Sequence, residues 1–360
     1  MARPVTQAKA GADGTRSPYR GRPPHTFWRS AVTGRTVETL EDMYAKKWSI
    51  SPEDRVATAG SCFAQHIARN MRANGYSVID TEPAPPWMDR ATAARHGFGV
   101  YSARFGNLYY VRQLLQLARE ALDGEEREDI VWRKGERYYD ALRPSVDPDG
   151  HASAELVHKH REQHLERVRQ MFDAVDVFVY TFGLTEGWVN QTTGTAYPTA
   201  PGTIAGDFDP DVYAFKNFRF SEVLEDFLTF RTRLREHRPN VRFLLTVSPV
   251  ALAATATDDH VLKATMYSKS VLRAVAGELT EEYSDIDYFP SYEMIAGAAT
   301  DGRFYDESRR DVRPEGVAQV MSEFFKEHPS HSQASAGVPP SEVDVEDVMC
   351  EDVLLEAFGR

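Results

Sequence analysis

The chain has 360 residues, 42% of them hydrophobic and 11% aromatic, enough to build a real core in one large domain or two ordinary ones. Its net charge of −12 argues against a general nucleic-acid partner or an anionic membrane surface. No run of about 18 apolar residues is present to span a membrane.

Residues 1–25 are rich in Gly, Pro, Arg and Thr and read as a flexible basic arm, with ordered structure expected from "HTFWRSAV" onward. Strand-like runs then follow at "RVATAG" (Arg55 to Gly60), "YSVID" (Tyr76 to Asp80), "DVFVYTFG" (Asp176 to Gly183), "VRFLLTVSPV" (Val241 to Val250) and "IDYFPSY" (Ile286 to Tyr292). Helical periodicity occupies about 62–74, 107–122, 153–173, 220–237, 260–280 and 314–326. Strand alternating with helix predicts an α/β fold with a parallel sheet covered on both faces. Buried parallel strands read as unbroken apolar runs, as "VFVYTF" does. The polar region from about 124 to 162 reads as an insertion over the sheet, within a main domain spanning 26–327. Residues 328–360 read as a linker and an acidic tail. That segment reads as mostly disordered or, from its apolar positions Val345, Val348, Met349, Val353, Leu354 and Phe358, as an amphipathic helix that docks on a partner or on the chain's own body. Cys350 lies in this tail. With Cys62 it makes two cysteines, too few for a disulfide scaffold, and the N-terminus lacks an apolar leader, so a cytoplasmic location is the expectation.

Ligands of an open parallel sheet bind beyond the carboxyl ends of its strands. The polar residues there are Gly60-Ser61-Cys62, Gly183-Leu184-Thr185-Glu186, Ser248-Pro249 and Ser291-Tyr292-Glu293. Ser61 and Cys62 are adjacent candidate nucleophiles where a strand turns into a helix, and free N–H groups at a helix start favour a thiolate or an oxyanion. "YSKSVLR" sets Lys269 and Arg273 four apart on one helix face, suited to a phosphate or carboxylate or to a solvated stripe. Glu186 and Glu293 are either site carboxylates or structural partners of those cations. "HKHREQH" places His160 and His164 at i and i+4 with His158 nearby, but the surrounding charge reads as a solvated helix, so neither a metal nor a cofactor is expected. "GSCFAQ" also lacks the end of a phosphate-binding P-loop.

Five segments in order, "GSCFAQHIA", "TFGLTEGW", "LLTVSPV", "YSKSVLR" and "YFPSYE", resemble the GSCFA family, placed within the SGNH-hydrolase-like superfamily. The resemblance covers about Phe27 to Phe325. It implies a three-layer α/β/α, flavodoxin-like domain around a central parallel sheet, and ester hydrolysis or acyl transfer on a carbohydrate- or lipid-type ester. The superfamily's first block, Gly-Asp-Ser, falls on Gly60, Ser61 and Cys62, a register that favours Cys62, although Ser61 carries the expected hydroxyl. The oxyanion glycine of its second block falls on Gly99, with Gly106 next to Asn107 as the other choice. Its third block falls on Gly183 and Thr185. Its closing Asp-x-x-His falls on Ser308 and Asp311 in "RFYDESRRDVRPEGV", where no histidine stands. Three substitutes for the missing base are available: His260 oriented by Asp258 or Asp259, His66 one turn beyond Cys62, and Asp311 acting with Lys269. The expected substrate is a small-molecule or glycan ester, with an acyl thioester as a possible donor. The rival expectation is a non-catalytic binding or scaffold protein on a degenerate hydrolase fold.

Overall fold

The computed structural model describes residues 17–330 together with Leu354, Leu355 and Phe358. In chain order the helices and strands are α1 (Trp28–Ala31), β1 (Val56–Gly60), α2 (Phe63–Ala73), α3 (Arg90–Arg95), α4 (Val111–Ala118), β2 (Val131–Lys134) and β3 (Arg137–Asp140). They continue through α5 (Ala154–Ala174), β4 (Val177–Phe182), β5 (Glu186–Asn190), β6 (Ala196–Tyr197), β7 (Tyr213–Asn217) and α6 (Phe220–His237). The last are β8 (Arg242–Val247), α7 (Val261–Glu282), β9 (Ile286–Tyr288), α8 (Ser291–Ala296) and α9 (Pro314–Glu327).

The central sheet has the order β1-β4-β8-β9, and every pair in it is parallel. The expected strand at Tyr76 to Asp80 is reduced to a single parallel bridge, Val78 to Val56, flanking β1 on its outer edge. With that segment counted, the spatial order is second, first, third, fourth, fifth, the doubly wound arrangement of flavodoxin-like folds. Strand alternation divides the sheet's side chains between two cores. Ala57, Phe178, Tyr180, Phe182, Phe243 and Leu245 pack with residues of α4, α5, α6 and α7. Val56, Val177, Val179 and Leu244 pack with α2, α8, α9 and the segment holding Val37, Tyr44 and Ile50. The result is a three-layer α/β/α sandwich.

Two further pieces stand outside the central sheet. An antiparallel sheet of order β6-β5-β7 follows β4 directly, where only a strand end was expected. The polar region 124–162 forms the β2–β3 hairpin, closed by a small apolar core of Trp132, Tyr139, Leu142 and Tyr197. That hairpin is tied to α5 by buried charge: Arg161 of α5 lies 3.6 Å from Asp140 at the end of β3, and Arg143, bonded to Asp140 at 2.8 Å, donates to the His160 carbonyl at 3.3 Å. His164 is no solvated residue. It is fully buried, its Nδ1 2.6 Å from Glu82 Oε2.

The ordered body also extends past the expected boundary at 327. His328 is fully buried: its Nδ1 accepts from the Ile50 N–H at 3.0 Å and its Nε2 lies 2.9 Å from the Tyr44 hydroxyl. Most of the tail, Cys350 and Val345 to Val353 included, and residues 1–16 of the expected arm lie outside the described residues. Among the described residues no helix is long and apolar enough to cross a membrane.

Candidate functional site at the sheet switch point

In a doubly wound sheet the crevice opens where the strand order reverses, here between the carboxyl ends of β1 and β4. Two glycines let these ends approach. Gly60 has φ +135°, and a Cβ there would lie 2.3 Å from the Thr181 carbonyl oxygen, so no side chain fits. A Cβ on Gly183 would lie 2.9 Å from the Tyr109 carbonyl oxygen and 3.0 Å from Ser61 Cβ. The Ser61 N–H donates to the Thr181 carbonyl at 3.1 Å, which fixes the turn to β4, and α2 begins at once with Cys62 as its N-cap.

Ser61 and Cys62 both line a small cavity of about 10 Å³ together with Tyr109, Gly183, Ser248 and Leu252. Ser61 is 3% exposed and its Oγ has no hydrogen-bond partner among the described residues. A buried hydroxyl left so is costly in a purely structural role. Cys62 is half-buried. In the first turn of α2 the Ala64 N–H donates to the Ser61 carbonyl at 2.8 Å and the Gln65 N–H to the Cys62 carbonyl at 3.2 Å, whereas the N–H groups of Cys62 and Phe63 have no acceptor among the described residues. Lys269, 2% exposed, reaches in from α7 and donates from Nζ to the Gly183 carbonyl at 2.6 Å. This sets the Lys269 amine on the carbonyl of the residue that packs against Ser61.

Other expected members are brought to this end of the sheet in different roles. Ser248 lines the cavity at the end of β8, and its Oγ accepts from the Val250 N–H at 3.3 Å. The Gly183 N–H is committed to the Tyr109 carbonyl at 3.0 Å, so the cavity meets that residue through its backbone surface and not through a free donor. Thr185 turns away: its Oγ1 donates to Asn217 Oδ1 at 2.7 Å and its N–H to Ser268 Oγ at 3.0 Å, which locks the β5–β7 edge. Gly99 sits in an exposed turn with open space around it, its carbonyl accepting from Arg72 Nη1 at 2.8 Å. The segment after Gly106 is the one beside the nucleophile turn. The Leu108 N–H donates to the Gly60 carbonyl at 2.9 Å, and buried Asn107 accepts from Tyr101, whose hydroxyl lies 3.3 Å from the Ser61 carbonyl.

None of the histidine substitutes is assembled with this cavity. His260 is exposed and caps α7, its Nδ1 accepting from the Leu262 N–H at 3.1 Å, while Asp259 pairs with Lys263 at 2.5 Å. His66 packs on Phe63 at 5.6 Å between ring centroids and is not part of the cavity wall. The segment aligned with Asp-x-x-His does reach the rim. The Tyr305 hydroxyl donates to the Pro249 carbonyl at 2.9 Å, and Arg310 Nε donates to the Ala251 carbonyl at 3.1 Å. Arg310, 6% exposed, is the residue this segment brings to the rim, with Asp311 as its counterion at 3.1 Å and Ser308 bonded locally to Asp306. Sequence reasoning passed over Arg310. The signal was the paired arginines of "SRRD" where a base was sought. Arg273 and Glu293 form an ion pair with each other, and the Tyr288 hydroxyl donates to Glu293 at 2.8 Å, so both are structural partners.

A larger cavity of about 440 Å³ adjoins the small one through their shared walls Leu184 and Leu252. Trp188, Phe215, Pro198 and Thr199 line it, and Leu355 and Phe358 of the tail stand at its wall. Its carboxylate is Glu186, which accepts from Thr255 Oγ1 at 2.8 Å. Burial pushes the Glu186 carboxyl above the ordinary range, against the bonds from Thr255 and Ala256 that favour its charge. Thr199 Oγ1 is buried there with no partner among the described residues. A mostly apolar cavity with a few polar groups, adjoining the candidate nucleophiles, has the make-up of a ligand pocket.

No curated protein matches the chain. The sequence profile of the GSCFA family does, over residues 55–324, which takes in the central sheet, both helical layers and every residue of the two cavities except Leu355 and Phe358. The chain belongs to the GSCFA family.

Proposed function

We propose that the protein is an acyl-ester enzyme, an esterase or O-acyltransferase, whose nucleophile stands on the turn after β1. The observation that carries the proposal is the Ser61 hydroxyl, buried without a partner among the described residues in the switch-point cavity beside the lysine-bound Gly183. The resemblance to the SGNH-hydrolase-like superfamily supports the same position for a nucleophile. The orphaned hydroxyl favours Ser61, and the helix N-cap position favours Cys62.

In the acylation step the nucleophile's oxygen or sulfur bonds to the carbonyl carbon of the substrate, and the bond from that carbon to the leaving alcohol or thiol breaks. The proton leaves the nucleophile for Lys269 as the free amine and passes to the leaving group. The N–H groups of Cys62 and Phe63, at the start of α2, receive the oxyanion. Deacylation runs in reverse with water or a polyol hydroxyl as acceptor. The larger cavity holds the organic part of the substrate, with Trp188 and Phe215 as apolar surface and Glu186 and Thr199 as hydrogen-bonding groups. A small-molecule or glycan ester fits this lining, and an acyl thioester is a suitable donor.

Turnover of a panel of aryl esters and acyl thioesters, with and without a polyol acceptor, tests the reading. Ser61→Ala or Cys62→Ala is expected to abolish it, and His260→Ala to leave it unchanged. Turnover that survives both nucleophile substitutions would overturn the proposal. A second reading, a binding protein, draws on the absence of any histidine from the segment 303–313. It predicts saturable ligand binding that Trp188→Ala weakens, with no turnover on any ester.

A further inference from the structure

Away from the switch point, three side chains converge where the loop before α5 meets that helix. One ligand atom from each of Asp147, His151 and His160 lies within 4.8 Å of the other two. Asp147 Oδ2 is 3.4 Å from His151 Nε2. Two ligands bound tetrahedrally at about 2.0–2.1 Å from zinc are separated by about 3.4 Å, so this pair already has the spacing of a metal edge. The His151 and His160 rings stand edge to face at 4.6 Å between centroids. His160 is exposed and on a helix face, free to close the remaining gap by a side-chain rotation.

The surroundings fix the first two ligands. His151 is held on both backbone groups by Tyr138, and the Gly150 N–H donates to the Asp147 carbonyl at 2.8 Å. Gly150 is left-handed at φ +60°, and a Cβ there would lie 2.8 Å from the Tyr139 ring, so the turn is rigidly specified. Arg104 Nη2 bonds Asp147 Oδ1 at 3.0 Å, which orients the carboxylate and leaves Oδ2 toward His151, as outer partners of a metal ligand do. Arg104 is thus paired with Asp147, Arg143 is paired with Asp140 at 2.8 Å, and Arg137 donates from Nε to the Asp149 carbonyl at 2.8 Å.

We propose that Asp147, His151 and His160 bind one zinc ion, with a water or an added protein group in the fourth position. Two imidazoles and one carboxylate select zinc or a similar borderline ion over magnesium and calcium, which prefer all-oxygen shells. The ion would pin the 145–151 loop to α5. The same loop, through Val146 and Ser145, packs against Gly106, which leads into the Asn107–Tyr109 segment beside the nucleophile turn. The role is structural and independent of the acyl-ester reading.

The test uses the full chain, stripped with a chelator and titrated with zinc alone, with bound metal measured by elemental analysis and stability by thermal melting. The expected result is one bound zinc per chain at this site and a rise in melting temperature with zinc. His160→Ala is expected to weaken the binding at least about tenfold, and His158→Ala, on the same exposed helix, to leave it unchanged. Because His160 is exposed, its substitution tests the site even if His151→Gln fails to fold. No retained zinc, or retention unaffected by His160→Ala, would overturn the proposal.

Discussion

Gly60 and Gly183 show at single-residue scale how the site is made. Each stands where a backbone carbonyl of a neighbouring segment occupies the space of a Cβ. Gly60→Ala therefore combines a clash with Thr181 and a left-handed φ, and should cost roughly 3 kcal/mol or more in urea denaturation. Gly99→Ala, left-handed but in open space, should cost only about 1–2 kcal/mol. Equal losses at the two positions would contradict the close approach of β1 and β4. Lys269 is the other telling residue. Lys269→Met keeps the apolar stem and removes the amine, and should lower acyl-enzyme formation at least about a hundredfold while the protein stays folded. Retained rate would remove Lys269 from the proton path. The sequence pointed to the positions of Ser61, Cys62, Gly183, Ser248 and Lys269, because each is a polar or small residue at a strand end or on a helix that returns over one. It misled on His260, since a histidine at a helix start serves equally well as a cap. Which of the two was unreadable without the fold of residues 250–260.

Among the elements, the long apolar runs and amphipathic helices were legible almost to the residue, as at Phe220–His237. The run at Tyr76 to Asp80 was not, because an edge segment with one pairing partner makes only a bridge there. Nor was the β5–β7 sheet, whose strands are short and hold Gly, Asn and Lys, so their pattern does not stand out from a loop. The end of α9 carries a pH response that composition alone does not reveal. Burial, aided by the charges of Lys46 and Arg242, lowers the His328 pKa to about 4 from an ordinary value near 6.5. Its Nδ1 accepts from Ile50, so protonation there breaks that bond. The unfolded chain thus takes up the proton at higher pH than the folded one. Stability is fully present above pH 6.5 and falls as pH drops toward 4, by roughly 3 kcal/mol for this group. Buried His164, lowered to about 4 by burial, adds in the same direction. Melting temperature measured across this range should therefore decline, and His328→Asn should flatten the slope. An unchanged slope would contradict the buried neutral histidine.

For the whole molecule, the doubly wound order places the nucleophile turn, the buried lysine and the larger cavity at one end of the sheet. Leu355 and Phe358 from the tail stand at the wall of that cavity, far along the chain from the residues they meet. The amphipathic spacing of the tail suggested docking, and these two contacts favour the chain's own body as the surface. Truncation after Pro340 should open the groove and raise the fluorescence of an apolar dye, and Phe358→Asp should do the same in part. Unchanged dye binding would mean that the tail does not cover the groove in solution. The central claim, however, is covalent chemistry on the turn after β1. It is tested most directly by intact-mass spectrometry of the full chain after brief exposure to activated esters and acyl thioesters, alongside Ser61→Ala, Cys62→Ala and Lys269→Met. The account predicts an acyl adduct on the wild type that is lost with Ser61→Ala or with Cys62→Ala, whichever is the nucleophile, and is slowed by Lys269→Met. An adduct that persists in both nucleophile variants, or none with any donor, would contradict it.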